Sequence, residues 1–220
     1  MMDVWDWDKA FGALPPILEG LLVTLQVTVL GSLVAYVLGL ILAVVRRSRI
    51  PVLDQILWAL IELIRSTPLL IQIFVLFYVL QPALGLQLSP FLTGVIALGV
   101  HYACYTSEVY RAGIDAIPPG QWEAATALSL PKSRVWTGVI LPQAVPRVVP
   151  ALGNYTISMF KEVPLLLAIG VAEIVARAEE QGTADYRYVE VYTMAGLAFL
   201  LLSFPAAILV RRLERRVAQK

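Results

Sequence analysis

The stretch GLLVTLQVTVLGSLVAYVLGLILAVV, Gly20 to Val45, runs for 26 residues without a charge. A spanning helix needs roughly 20 apolar residues in a row, so this stretch predicts a membrane span and not the core helix of a soluble domain. It ends at Arg46-Arg47-Ser48-Arg49, followed by Pro51. Arginines clustered against a span mark the cytoplasmic side, which puts the N-terminus outside. The chain starts Met-Met-Asp-Val-Trp-Asp-Trp-Asp, acidic where a secretory signal or transit peptide would be basic, so the first apolar stretch is expected to be retained.

The rest of the composition agrees. Of 220 residues, 59% are hydrophobic and 15% charged, against about 45–50% apolar and about 25% charged in a soluble domain. A formal net charge of +1 gives no general attraction to nucleic acid. The single cysteine, Cys104, cannot form an intrachain disulfide, and no CxxC or Cys/His cluster of metal-site spacing occurs. Redox chemistry and structural zinc are not expected.

Working outward from the first span, apolar stretches predict an all-α membrane protein with five transmembrane helices in one domain, 1–220. The spans fall at about 20–45, 55–80, 91–107, 148–170 and 191–210, with a structured cytoplasmic loop over 111–147. A kink is expected at Pro68, and the polar stretch from Glu173 to Glu190 reads as an outside loop. This topology places three Lys or Arg at 46–49, four at 111–147 and five at 211–220 inside. It leaves Lys9, Arg177 and Arg187 outside and Arg65 and Lys161 in spans. That asymmetry supports an N-out, C-in orientation. Five spans cannot hold two equal inverted repeats, so an assembled dimer is more natural than a self-contained secondary transporter. Gly31, Ala35, Gly39 and Ala43 form a small-residue stripe on span one. Either the stripe lets another helix approach closely, or it reflects only the abundance of glycine and alanine in membrane helices.

In the 111–147 loop, Gln121 to Leu130 is alanine-rich and free of breakers, which favours a short helix. Pro131 fits the first turn of a second. Such a projection can dock in a groove on a partner, burying Trp122, Ala124, Ala125 and Leu128. The competing reading, a helix lying on lipid headgroups, requires Lys and Arg on its polar face, and residues 112–131 contain neither.

Glu123-Ala124-Ala125, then Ser129, then Val139-Ile140-Leu141-Pro142 resembles the EAA loop of ABC importer permeases. The spacing matches throughout, with Ser129 in place of a glycine and Val139 in place of an isoleucine. Glu62-Leu-Ile-Arg-Ser-Thr-Pro-Leu-Leu-Ile-Gln72, Glu108-Val-Tyr-Arg-Ala-Gly113 and Lys161-Glu-Val-Pro-Leu-Leu166 are similar to motifs of the polar amino acid permeases. The segments His101 to Asp115 and Asp185 to Glu190 are most similar to ectoine and hydroxyectoine permeases. The resemblance implies a type I importer permease fold in the bacterial inner membrane, paired with a second permease chain. It further implies that Glu123 and Ser129 belong to a surface docked on a cytoplasmic P-loop ATPase dimer, and that an extracytoplasmic solute-binding protein delivers the substrate. No GxxxxGK[ST] phosphate loop occurs here, so ATP and Mg belong to the partner and the chain itself carries no cofactor.

Polar residues inside the spans mark the candidate path. Glu62, Arg65 and Gln72, at i, i+3 and i+10, share one face of span two. They read either as a pair that glues helices or as substrate contacts. Asn154, Ser158, Lys161 and Glu162 share a face of span four. The adjacent cation and anion of Lys161 and Glu162 suit a zwitterion, and the matching pair in polar amino acid permeases resembles part of a substrate site. The alternative is a mutual ion pair or helix-end charges. His101, Cys104 and Glu108 share a face of span three. They read as a packing histidine and its neighbours, as part of the translocation path, or as the core of a membrane-embedded enzyme, which would need a second helix of ligands. An ion channel, needing neither docking loop nor ATPase, is the remaining rival.

Overall fold

The computed structural model describes residues 5–48 and 50–218. Met1 to Val4, Arg49 of the arginine cluster, and Lys220 of the C-terminal basic group lie outside the described residues. The chain is almost entirely helical. After a short α1 (Trp7–Gly12), capped by the Asp6 carboxylate on the Asp8 and Lys9 amides, comes α2 (Leu14–Arg47). Its 34 residues extend about 51 Å at 1.5 Å per residue, overrunning the expected span 20–45 at both ends.

The small-residue stripe is used within the chain. Gly31, Ala35, Gly39 and Ala43 are buried, and they let α2 lie against α6 (Pro90–Asp115). A Cβ on Gly39 would stand 2.1 Å from Thr106 Oγ1, so only glycine permits the approach. The gap closes with a hydrogen bond from Thr106 Oγ1 to the Ala35 carbonyl, 2.8 Å. The outer side of α2 leaves Leu22, Val29, Leu33, Val37 and Val44 exposed, which suits lipid or another apolar helix.

The second stretch departs from expectation. Rather than one kinked span over 55–80, it forms α3 (Pro51–Arg65) and α4 (Leu69–Phe74), bent by 107°. A proline disfavours helical backbone at the residue before it, and Pro68 itself is extended at φ −61° and ψ 133°. Gln72 Nε2 then donates to the carbonyls of Ile64 and Thr67, at 2.6 and 3.0 Å, satisfying the end of α3 that the break exposes. Beyond α4 a π-helical turn (Val75–Leu80) leads into α5 (Gln81–Ala83). The wide turn relieves the clash between the Pro82 ring and the carbonyl four residues back.

Helix α6 continues to Asp115, past the expected end of span three at 107. The expected loop 111–147 is correspondingly shorter. Its α7 (Pro119–Ala127) ends at Leu128, and helix resumes at α8 (Lys132–Arg134), passing through a π-helical turn (Val135–Ile140) into α9 (Leu141–Glu162) and a 3-10 segment (Val163–Ile169). The second short helix expected after Pro131 is thus continuous with span four, expected from 148. Pro142, Pro146 and Pro150 do not break it, although each withdraws one N–H from the helical ladder.

The outside loop expected over Glu173–Glu190 holds a further helix, α10 (Ile174–Asp185). Buried Glu173 caps it by accepting from Val175 and Ala176, at 2.9 and 2.7 Å. Burial pushes that carboxyl above its ordinary range against the pull of the two amides. Last comes α11 (Tyr188–Ala218), longer at both ends than the expected span 191–210.

Among the described residues, three helical stretches qualify as spans by length and composition, Trp7–Arg47, Lys132–Ile169 and Tyr188–Arg216, and the bent pair taken as one span makes a fourth. Helix α6 (Pro90–Asp115) is not among them. The core has three tiers. Val27, Ile73, Leu98, Met159 and Leu166 fill the middle, Ile17, Ile174 and Val191 fill the end carrying α10, and Ile117, Ile140 and Ala144 pack under Trp122 and Trp136 at the end carrying α7.

Candidate functional site

Two regions gather the candidate residues. In the middle of the bundle, His101 is 7% exposed, and its Nδ1 lies 2.9 Å from Gln72 Oε1. With Nε2 of Gln72 already donating to Ile64 and Thr67, this amide latches α3, α4 and α6 together. The bend at Pro68 removes the continuous face proposed for Glu62 and Gln72. Glu62 sits on α3, exposed and 3.5 Å from Arg65.

Aromatic rings extend the cluster. His101 meets Tyr102 and Tyr105 at centroid distances of 5.4 and 5.2 Å, and Tyr155 of α9 meets Tyr105 at 5.6 Å. The Arg65 guanidinium lies over the Tyr105 ring at 5.2 Å. Tyr102 donates its hydroxyl to Glu162 Oε2 at 2.8 Å. The tyrosines were not among the sequence candidates, although Tyr102 and Tyr105, at i and i+3, share a helix face with His101 at i+4 spacing from Tyr105.

The expected face of α9 divides. Asn154, Ser158 and Lys161 form an exposed stripe, whereas Glu162 is half-buried and turned to Tyr102. Asn154 donates to Glu214 of α11 at 2.7 Å, so it ties two helices and leaves the candidate path. Among the described residues, no ion pair or hydrogen bond joins Lys161 to Glu162 or to any other side chain.

The enzyme reading does not survive the geometry. His101 is bound to Gln72, Cys104 is buried, and Glu108 accepts from Arg46 and from Arg111. With His101 and Glu108 committed to different neighbours and the Cys104 thiol buried, the three do not converge on one reacting atom. Among the described residues, no three His, Cys, Asp or Glu side chains converge as a metal site.

The second region is the end carrying α7. Ala125 is 3% exposed and Trp122 packs edge to face on Trp136, centroids 5.6 Å apart. Ala125 therefore packs on the chain's own core, and Trp122 is half-buried against it. Glu123, Ala124 and Leu128 point outward, Leu128 at 71% exposure. After α7 the Leu130 amide reaches back to the Ala125 carbonyl, 3.1 Å, and the Ser129 amide to Thr126, 2.9 Å. This closes a helix C-terminal motif that needs a left-handed residue. Ser129 supplies it, at φ 51°. The left-handed backbone thus persists with serine at the position where the resembled loop has glycine.

Residues 35–219 match the family described as binding-protein-dependent transport system inner membrane component. A probable amino-acid ABC transporter permease protein of Sinorhizobium fredii is 47% identical over 92% of this chain and 87% of its own length. The arginine transport system permease protein of Bacillus subtilis is 34% identical over 96% of this chain and 97% of its own. The glutamine transport system permease protein of Escherichia coli is 31% identical over 97% and 98%. In three dimensions, a crystal structure of an amino acid ABC transporter with histidines superposes with a TM-score of 0.88 at 32% identity, covering 96% of this chain and 99% of that one. The methionine transporter MetNI, 20% identical with a TM-score of 0.76, shares the fold. The chain belongs to the family of inner membrane components of binding-protein-dependent transport systems, among its amino-acid ABC transporter permeases, which are transport subunits and not enzymes.

Proposed function

We propose that this chain lines the path for a zwitterionic amino acid or a related polar solute, as one of two permease chains driven by a cytoplasmic P-loop ATPase dimer and fed by an extracytoplasmic solute-binding protein. The single permease domain, 1–220, crosses the bacterial inner membrane five times, through α2, the bent α3–α5 unit, α6, α8–α9 and α11. Its N-terminus lies outside and its C-terminus inside. The orientation rests on the cations: Arg46, Arg47, Arg111, Lys132, Arg134 and Arg147 gather at the end carrying α7, as expected for a cytoplasmic face.

The observation that carries the substrate reading is Lys161, an exposed cation without a partner among the described residues, on the same stripe as Ser158 and next to the inward-turned Glu162. A charge at membrane depth is tolerated where it faces an interior or a wet cavity. The carboxylate of a zwitterion would meet Lys161 and its cationic end Glu162, with Gln72 and His101 shaping the wall. At the other end, Glu123, Ala124 and Leu128 dock on the ATPase, with Ser129 setting the turn behind them.

Glutamine, arginine and cystine, named for relatives, and ectoine and hydroxyectoine, which the sequence resemblance suggests, make the test panel. ATP-dependent uptake of at least one of them is expected in liposomes holding the complex and its binding protein. Uptake of a neutral sugar with none of the panel transported would overturn the zwitterion reading.

A further inference from the structure

Helix α7 is loosely attached. Of its nine residues only Ala125 is buried, and behind it the ends of α2 and α6 leave a cleft of about 420 Å³ lined by Arg47, Ile114, Asp115, Ile117, Trp122 and Glu123. One side chain in that cleft reaches three elements. Arg47, the last residue of α2, donates from Nη1 to Asp115 Oδ1 of α6 at 2.8 Å. Its guanidinium carbon lies 5.6 Å from the centroid of Trp122, on α7, and 5.6 Å from that of Trp136, on the turn leading into α9. The two indoles stand at 81° to each other, so they form a corner that a cation occupies against both rings. The preceding residue, Arg46, is bound to Asp54 of α3 at 3.1 Å and to Glu108 of α6, which anchors this end of α2.

We propose that Arg47 is a positioning residue for coupling. It fixes the angle of α7 against the ends of α2, α6 and α9, so that a displacement of α7 by the ATPase reaches the spans as a rigid-body movement. This rests on the reading that α7 docks on the ATPase. Packed apolar contacts alone would let α7 slide over Ile117 and Ile140. A cation held at once by a carboxylate and two ring faces resists that sliding, because each contact is directional.

The test is the ratio of solute taken up to ATP hydrolysed, measured in liposomes with the panel solute that the unsubstituted complex transports, together with the yield of assembled complex. Arg47→Met keeps the aliphatic stem on the indoles and removes the cation. It is expected to lower the ratio about fivefold, the lower end of ordinary coupling between sites, with yield unchanged. Arg47→Lys, which keeps the charge toward Asp115 but not the planar fork, should recover part of the loss. An unchanged ratio in Arg47→Met overturns the proposal. Should that variant assemble poorly, Trp136→Phe preserves the ring packing while weakening the attraction for the cation; a lowered ratio supports the proposal and an unchanged one overturns it. Glu123→Lys in the same assay separates the two readings. If it lowers solute-driven hydrolysis while Arg47→Met leaves the ratio unchanged, the positioning role alone fails, whereas hydrolysis and uptake both unchanged in Glu123→Lys remove the docking surface itself.

Discussion

The end of the bundle carrying α7 and the exposed stripe of α9 treat their charges in opposite ways. At the α7 end, Arg46 is bound to Asp54 and Glu108, Arg47 to Asp115, and Arg147 to the Ala116 carbonyl. These cations hold helix ends together. On α9, Lys161 has no such partner among the described residues, and the carboxylate beside it is turned to Tyr102. An ion pair satisfied within the chain is a structural element. A charge left open beside a polar cluster is available to something that arrives, and the same logic separates exposed Glu123 from its paired neighbours. The comparison yields experiments that break or sharpen it.

The largest effect is expected at Lys161. With no ion pair to Glu162, Lys161→Met leaves no orphaned carboxylate, so complex yield should hold. Uptake should fall by more than tenfold, because an unpaired substrate carboxylate in a desolvated site costs about 2–5 kcal/mol and each 1.4 kcal/mol is about tenfold. A variant that fails to assemble yet regains transport with Glu162→Gln added would make the pair structural and sink the comparison at its open end.

Next comes Glu123. Reversing one exposed charge on the docking face, Glu123→Lys, should leave insertion intact and reduce solute-driven ATP hydrolysis about tenfold, a loss of roughly 1.4 kcal/mol at the contact. Hydrolysis and uptake equal to those of the unsubstituted complex would show that open charges at this end have no partner.

Smaller, and of the other kind, is Gln72→Leu. Gln72 is committed to Ile64, Thr67 and His101, so the change takes the donor from the Thr67 carbonyl and the partner from His101. A destabilisation of about 1–3 kcal/mol is expected, read as faster inactivation in detergent. Loss of uptake at full stability would instead move Gln72 from latch to substrate contact.

The same contrast explains what was legible in the sequence. Uncharged length identified α2 and α11, and loop spacing located α7, because these signals are local. The two proline segments were read only in part. Thr67-Pro68 was expected to kink a span and bends it by 107°, while the second short helix expected after Pro131 runs on without a break into α9. Whether a proline ends a helix depends on who takes the freed carbonyls. At Pro68 a side chain eight residues from Ile64 takes them, a pairing that no local pattern announces. Pro142 instead follows a π turn that absorbs its ring. In the candidate site, composition flagged His101, Lys161 and Glu162, but not that Glu162 faces Tyr102 or that Asn154 belongs to Glu214, since both partners lie about 60 positions away in the chain.

The smallest expected effect tests the turn that presents the open charge. Ser129 holds φ 51°, where a side chain with a Cβ costs about 1–2 kcal/mol relative to right-handed backbone. Glycine has no such cost but loses more chain entropy on folding, about 0.5–1 kcal/mol. Ser129→Gly should therefore stabilise the end of α7 by up to about 1 kcal/mol, raising the midpoint of thermal unfolding in detergent by about 2–4 °C. Uptake per ATP should be unchanged, because Glu123 and Leu128 keep their places. Ser129→Val is the opposing control, since a β-branched side chain at positive φ is a true outlier and should lower the midpoint while also disturbing coupling. If glycine lowers the midpoint, the serine is not strained at this turn, and its hydroxyl must make the difference.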